Sequence, residues 1–200
     1  MSGTKEHILK KAFSLFLCKN FKEVTMKDIV NETGLSKGAF YHYFESKEKL
    51  FIEVIDSFYF DKMMIDYKKL NNDSLWNFYH DYVEQIVKSI NDFREFLNYN
   101  DADSNINYIT MMFDALNLFP GFQDKVKYSQ REELDAWASV IKKAREAGEF
   151  SSPMSDEQIA RIFIYSNDGI ALYLLLNGKL NDAGSEMLNL WDNFYSELKD

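Results

Sequence analysis

Apolar residues recur at spacings of three and four along almost the whole chain, the period of a helix with one buried face. Residues 4–19 carry Ile8, Ala12, Phe13 and Phe16 on one stripe, and Asn20–Glu23 is a short link. Two short helices are then expected, ahead of a long one from Lys47 to about Leu70 with Leu50, Phe51, Val54, Ile55, Phe58, Tyr59 and Met63 in register. Polar Asn71–Ser74 ends that helix and caps the next. Residues 75–98 form an aromatic helix in which Asn91-Asp92 is the natural place for a kink. Residues 106–118 follow, stopped by Phe119-Pro120-Gly121, and then a helix from about Gln123 to Ala147 with Gly148 as its stop. Ser155 and Gln158 form a capping box that opens an apolar helix to Leu176, closed by Asn177-Gly178. A last helix covers Asp182 to about Leu198. The pattern predicts an all-α protein of about nine helices. It reads as two domains: residues 1–46, three helices with a helix–turn–helix, and residues 47–200, a larger helical regulatory and dimerisation domain.

The most informative stretch is Thr25–Leu50. Thr25 with Asp28 makes a T-x-x-D capping box, Ile29 and Val30 give a short helix its apolar side, and Gly34 supplies the left-handed turn after it. Ser36 caps a second helix expected over Lys37–Phe44, on which Phe40 and Phe44 point into a core together. Tyr41-His42-Tyr43 cannot all face that core, so some of them face a partner. A helix with small residues first and polar aromatics after suits the DNA major groove. Gly38 and Ala39 admit close backbone approach, and Tyr41 and Tyr43 can donate to phosphates. Ser46 caps the next helix, where free N–H groups and Lys47 favour a phosphate oxygen. The expected DNA-binding residues are Thr25, Lys27, Ser36, Lys37, Gly38, Ala39, Tyr41, His42, Tyr43 and Lys47, with Lys37, Ala39 and His42 reading base edges.

Charge first argues against DNA and then for it. The net charge of −9 would be repelled by a duplex. Residues 1–50, however, hold nine lysines against six acidic residues, +3, and the remainder fourteen basic against twenty-six acidic, −12. The basic end is thereby turned toward DNA. One cysteine, Cys18, permits no internal disulfide and fits a reducing cytoplasm. Its apolar helix predicts a buried, inert thiol. Lysines interrupt any signal sequence, and the longest membrane candidate, Gly169–Leu176, is too short to span, so no membrane partner is expected.

Residues 4–50 resemble the DNA-binding domain of the tetracycline-repressor (TetR) family of bacterial transcription regulators. The likeness runs through Ile8, Ala12, Leu15-Phe16, Phe21, Val24-Thr25, Asp28-Ile29, the run Gly34–Phe44, and Lys47–Leu50. Asn20 stands where the family usually has glycine, and Val30 and Thr33 where small alanines are common. The resemblance implies a ligand-responsive homodimeric repressor, a near-palindromic double-stranded operator and dimerisation through the last two helices.

The C-terminal pattern agrees with that implication. Ile162, Ile170 and Leu174 on one helix, with Met187, Trp191, Phe194 and Leu198 on the last, form apolar stripes wide enough for a twofold interface. Trp76, Tyr79, Tyr82, Phe93, Phe96, Tyr108, Met111, Met112 and Trp137 either fill a core or line a pocket for a largely apolar or aromatic effector. The alternative is a DNA-binding dimer whose C-terminal domain takes a protein partner instead. No catalytic or metal motif occurs: the three histidines lie far apart in sequence, and His80 with Glu84 makes at most two ligands. No cofactor, no metal and no enzymatic activity are expected.

Overall fold

The computed structural model describes residues 3–60, 64–97 and 104–199, without the side chains of 93, 96, 97 and 104–108. Regular structure among the described residues is entirely helical. Nine α-helices run in order: α1 Gly3–Cys18, α2 Met26–Thr33, α3 Lys37–Tyr41, α4 Lys47–Ile55, α5 Leu75–Leu97, α6 Ser104–Leu118, α7 Pro120–Glu146, α8 Asp156–Leu176 and α9 Ala183–Lys199. They fall into two compact units. Unit 1 holds Met1–Met64 with Phe93–Gln123, and unit 2 holds Ile65–Asp92 with Asp124–Asp200. This division does not follow a boundary after residue 46, because α4 and α6 belong with the N-terminal helices.

Unit 1 is built on α1, whose Ile8, Leu9, Ala12, Phe13 and Phe16 are all buried. α1 packs against α2, α4 and α6. The stripe expected from the sequence is this core face, completed by Leu50, Phe51 and Val54 of α4. Phe16 stacks on Phe21, and the other contacts among Phe16, Phe21, Phe51 and Phe119 are edge to face or tilted, arrangements that aromatic quadrupoles favour.

The long helix expected from Lys47 to Leu70 is not continuous. α4 ends at Ile55 and widens into a π-helical turn over Asp56–Phe60. The cause lies in three consecutive aromatics that one α-helical face cannot bury. In the wider turn Phe58 stacks on Phe13 at 4.4 Å while Tyr59 and Phe60 both reach Phe122. Met64–Asp66 are non-helical, and Tyr67–Lys69 is a single 3-10 turn capped by Asp66. That turn drops Tyr67 and Leu70 onto the core of unit 2. Met63 lies outside the described residues.

Unit 2 is organised around Trp137 of α7, which has no exposed surface. Phe78, Tyr82, Phe163 and Trp191 surround its ring at centroid distances of 4.8–5.6 Å. α5 passes through Asn91-Asp92 without a break. Pro120 does not merely stop α6; it opens α7, where its missing N–H costs nothing. The Ser155–Gln158 capping box is present as expected.

Two other expectations are corrected. Cys18 is exposed, because it closes α1 one position past the buried Leu17. α8 has 21 residues and is apolar enough to cross a membrane by length and composition, so the membrane candidate is longer than Gly169–Leu176. Its Ile159, Ala160, Phe163 and Ile164 are packed into the core of unit 2, and it carries Asp168.

Candidate nucleic-acid interface

The helix–turn–helix is fixed at each joint by a short-range hydrogen bond that its sequence provides. The Thr25 hydroxyl oxygen accepts the Asp28 N–H at 3.2 Å, and the Asp28 carboxylate accepts the Thr25 N–H at 3.0 Å. The Thr25 hydroxyl also donates to that carboxylate at 2.7 Å, and with the backbone bond holds the Asp28 carboxyl below its ordinary range. Gly34 ends α2 at φ 67°, a left-handed geometry that a side chain would strain. The Ser36 oxygen then accepts the Ala39 N–H at 3.3 Å to start α3, and Ser46 accepts the Lys49 N–H at 3.2 Å to start α4.

α3 is shorter than expected, stopping at Tyr41 rather than Phe44. Tyr43 and Phe44 still bond back to the Phe40 carbonyl, so Phe44 reaches the core beside Phe40. Phe40 is the one buried residue of α3. Lys37, Gly38, Ala39, Tyr41 and His42 are exposed, as are Thr25, Lys27 and Ser36, and Tyr43 is half-buried. A Cβ placed on Gly38 would meet nothing within 4 Å. Nothing inside the unit demands glycine there.

Lys47 stands apart from this surface. Its Nζ donates to the carbonyls of Phe21 and Val24, both at 2.7 Å, and lies 4.3 Å from the centre of the Phe21 ring. The ammonium expected on a phosphate is thus engaged within unit 1, clasping the link between α1 and α2. A second clasp joins residues far apart in the chain and had no local signal: the Phe21 N–H donates to the Asp114 carboxylate of α6 at 3.1 Å. Asn20, in the place of a glycine, accepts the Glu23 N–H on its side-chain oxygen at 3.0 Å.

Of the nine residues expected at an effector site, six have described side chains. Tyr79, Tyr82 and Trp137 are core residues of unit 2, while Met111 is buried and Met112 half-buried in unit 1. Trp76 is 46 % exposed and stacks on His80 at 3.7 Å. The side chains of Phe93, Phe96 and Tyr108 lie outside the described residues. A cleft of about 400 Å³ in unit 2 is lined instead by Tyr67, Phe78, Glu132, Ala136, Val140 and Lys143 among others. Sequence reasoning also missed Glu133, to which the Tyr67 hydroxyl donates at 3.0 Å. The i, i+4 pair Glu133 and Trp137 on α7 was the available signal. Among the described residues no three His, Cys, Asp or Glu side chains are placed to hold a metal.

The residues expected at the dimer interface are likewise redistributed. Met187, Trp191, Leu198 and Leu174 are at most 3 % exposed and fill the protomer's own core. Phe194 and Ile170 pack against it half-buried. Of that set Ile162 alone is an exposed apolar residue, and it is joined on α8 by Tyr165, Leu172, Tyr173 and Leu176 and on α9 by Leu190. The reason is rotational: Phe163 and Trp191 turn inward onto Trp137, so the outward stripe is set one or two positions away.

A capped helix, a left-handed glycine, and a second helix that buries one phenylalanine and exposes small and donor-bearing residues define a helix–turn–helix DNA-binding protein. Comparison narrows this class. Residues 8–54 match the model for bacterial regulatory proteins of the tetR family. The HTH-type transcriptional regulator YfiR of Bacillus subtilis strain 168 is 27% identical, over 85% of this chain and 84% of its own. The HTH-type transcriptional repressor KstR2 of Mycolicibacterium smegmatis is 33% identical over 57 residues, 28% of each protein. A TetR-family transcriptional regulator from Agrobacterium tumefaciens shares the fold over 98% of both chains, with a TM-score of 0.67 at 14% identity. Residues 8–54 thus carry a helix–turn–helix domain of the tetR-family type, and the chain is similar over most of its length to an HTH-type transcriptional regulator, which supports a DNA-binding transcriptional regulator.

Proposed function

We propose that the protein is a homodimeric repressor that occupies a near-palindromic operator in the cytoplasm and leaves it when unit 2 binds a small, largely apolar or aromatic effector. The observation that carries the DNA half is the surface of α3. Its one buried side chain, Phe40, anchors a helix whose other positions present a lysine, a glycine, an alanine and a tyrosine to solvent, with His42 exposed at its C-terminal end. Lys37 and His42 carry donors for base edges, and the Ala39 methyl suits a thymine methyl. Thr25, Lys27, Ser36 and Tyr43 flank them as phosphate contacts.

Dimerisation is supported by the apolar surface of α8. Tyr165, Leu172, Tyr173 and Leu176 are 49–67 % exposed, and their helical spacing puts them on one side of α8, apolar exposure of the kind that marks an interface. Twofold pairing puts two recognition helices into successive major grooves ~34 Å apart. Effector coupling is supported by the path of the chain. α5 and α7 each have residues in both units, so a ligand that shifts either helix in unit 2 acts on the part that belongs to unit 1. A differential affinity of ~1–3 kcal/mol between the two states would lower operator affinity several-fold to hundredfold.

The test is a binding titration on DNA from upstream of the protein's own gene. Wild type should bind in a salt-dependent manner, and His42→Ala should change the preferred sequence more than the general affinity. A His42→Ala protein with unchanged sequence preference would remove His42 from the reading surface. A protein that binds DNA but answers to a protein partner rather than to small molecules would replace the effector half.

A further inference from the structure

We infer that Asp114 of α6 is a positioning residue for DNA recognition: its carboxylate fixes the link between α1 and α2, and so sets the seat of the reading helix on the rest of unit 1. This rests on the DNA-binding reading above and adds to it a residue 93 positions away from the link it holds.

The main-chain bonds of the link divide into two kinds. Those that shape it are local. Asn20 accepts the Glu23 N–H on its side-chain oxygen at 3.0 Å and the Val24 N–H on its carbonyl at 3.3 Å. Those that place it come from other helices. The Phe21 N–H donates to Asp114 Oδ2 of α6 at 3.1 Å, and the Phe21 and Val24 carbonyls accept Lys47 Nζ of α4 at 2.7 Å. Phe21 is therefore held at its N–H by an anion and at its carbonyl by a cation, and bonds to ionised partners are the strong ones. Its ring is buried as well, edge-on to Phe119 between α6 and α7 at 5.8 Å and to Phe51 of α4 at 4.7 Å.

The consequence reaches the reading helix through the chain itself. Val24 directly precedes Thr25, whose side chain caps α2. Fixing Val24 fixes the start of α2, and the turn at Gly34 and Ser36 carries α3 with it. Asp114 lies on α6, outside the helix–turn–helix, half-buried and acidic where DNA is anionic. Its charge alone repels a duplex, so its contribution to binding comes through what it holds. The gain is preorganisation. DNA presents its half-sites at a set separation. A head free to rock about its link would lose that freedom on binding, at a cost in affinity, and the Asp114 bond removes the freedom beforehand.

The probe is the duplex that wild type selects from a random pool, beside a version lengthened at its centre by one base pair. Charge and position predict opposite signs for Asp114→Ala. Loss of an acid from unit 1 tightens binding if charge decides. Loss of the hold on the link should instead weaken the selected duplex by about tenfold or more, the size of one charge-assisted hydrogen bond, and narrow its preference over the lengthened one. Asp114→Asn keeps an acceptor oxygen and drops the charge, and it should bind within about threefold of wild type. The salt slope should be the same for all three proteins, because no phosphate contact changes. Asp114→Leu, with bulk and no acceptor, repeats the test should alanine unfold unit 1. A purely structural role would shift the urea midpoint read by circular dichroism and leave the affinity and spacing preference of folded protein unchanged, which would overturn the inference. Wild-type or tighter binding by Asp114→Ala, or Asp114→Asn as weak as Asp114→Ala, would overturn it too. Wild type that selects a duplex which Asp114→Ala binds equally well rejects this inference alone, whereas wild type that selects no duplex rejects the proposed function and this inference with it.

Discussion

Replacing Lys47 by methionine keeps the side-chain stem and removes the ammonium. Two hydrogen bonds at 2.7 Å disappear, one to the carbonyl of Phe21 and one to that of Val24, together with the cation's contact with the Phe21 ring. A hydrogen bond from a charged donor contributes ~1.5–3 kcal/mol, and an exposed cation–π contact ~0.5–1 kcal/mol. Lys47 is only half-buried, so water recovers part of each, and the expected net loss is about 2–3 kcal/mol from unit 1. The three tryptophans, Trp76, Trp137 and Trp191, all lie in unit 2. Urea unfolding read by tryptophan emission therefore follows unit 2, while far-ultraviolet circular dichroism reads both. Lys47→Met should move the earliest loss of helix to lower urea and leave the tryptophan transition in place. The salt dependence of DNA binding should keep its slope, because the lost ammonium was not on a phosphate. A phosphate ligand would instead lower the slope by ~0.9 per contact. An unchanged urea profile with a shallower salt slope would refute the clasp and return Lys47 to the DNA surface.

Leu172→Asp combined with Leu176→Asp should give folded monomers by sedimentation, since both side chains are exposed in the protomer; an intact dimer would place the interface elsewhere. Trp191→Ala should instead destabilise unit 2 by ~3–5 kcal/mol in urea, because it opens the core beside Trp137, and a loss under ~1 kcal/mol would contradict that packing. Thr25→Ala removes the cap of α2 and should cost ~1 kcal/mol of unit 1 stability in the same urea profile, with an unchanged midpoint counting against the capping box. Glu133 is raised above its ordinary 4.5 by burial, so it stabilises the fold fully below that value and loses the contribution as pH climbs through the raised one. Relative to Glu133→Gln, wild type should therefore lose stability in thermal melts as pH rises above 4.5, and a relative gain would reverse the sign expected from burial.

The parts of the fold that were legible in the sequence are those set by local chemistry. The capping boxes at Thr25 and Ser155, the left-handed Gly34 and the apolar stripe of α1 depend on residues within one or two turns of each other. The exposed run Lys37–His42 was legible for the same reason, since one buried Phe40 decides the orientation of so short a helix. Partners distant in sequence were not legible. Lys47 has the type and position of a phosphate ligand, and what it holds is set by carbonyls more than twenty residues earlier. Periodicity carried α4 past Ile55 because Phe58, Tyr59 and Met63 keep helical spacing, yet that spacing does not reveal which ring stacks on Phe13 and which on Phe122. Similarly, apolar width on α8 and α9 announced more buried surface than one face supplies, without saying which stripe turns inward onto Trp137.

Selection of DNA from a random pool by the full chain asks whether α3 reads an operator. The selected pool should be enriched in a near-palindrome whose two half-sites lie about one helical turn or somewhat more apart. Lys37→Ala and His42→Ala should each relax the same positions within a half-site. A pool without enrichment, or the same consensus returned by both variants, would contradict the assignment of α3 as the DNA-reading element.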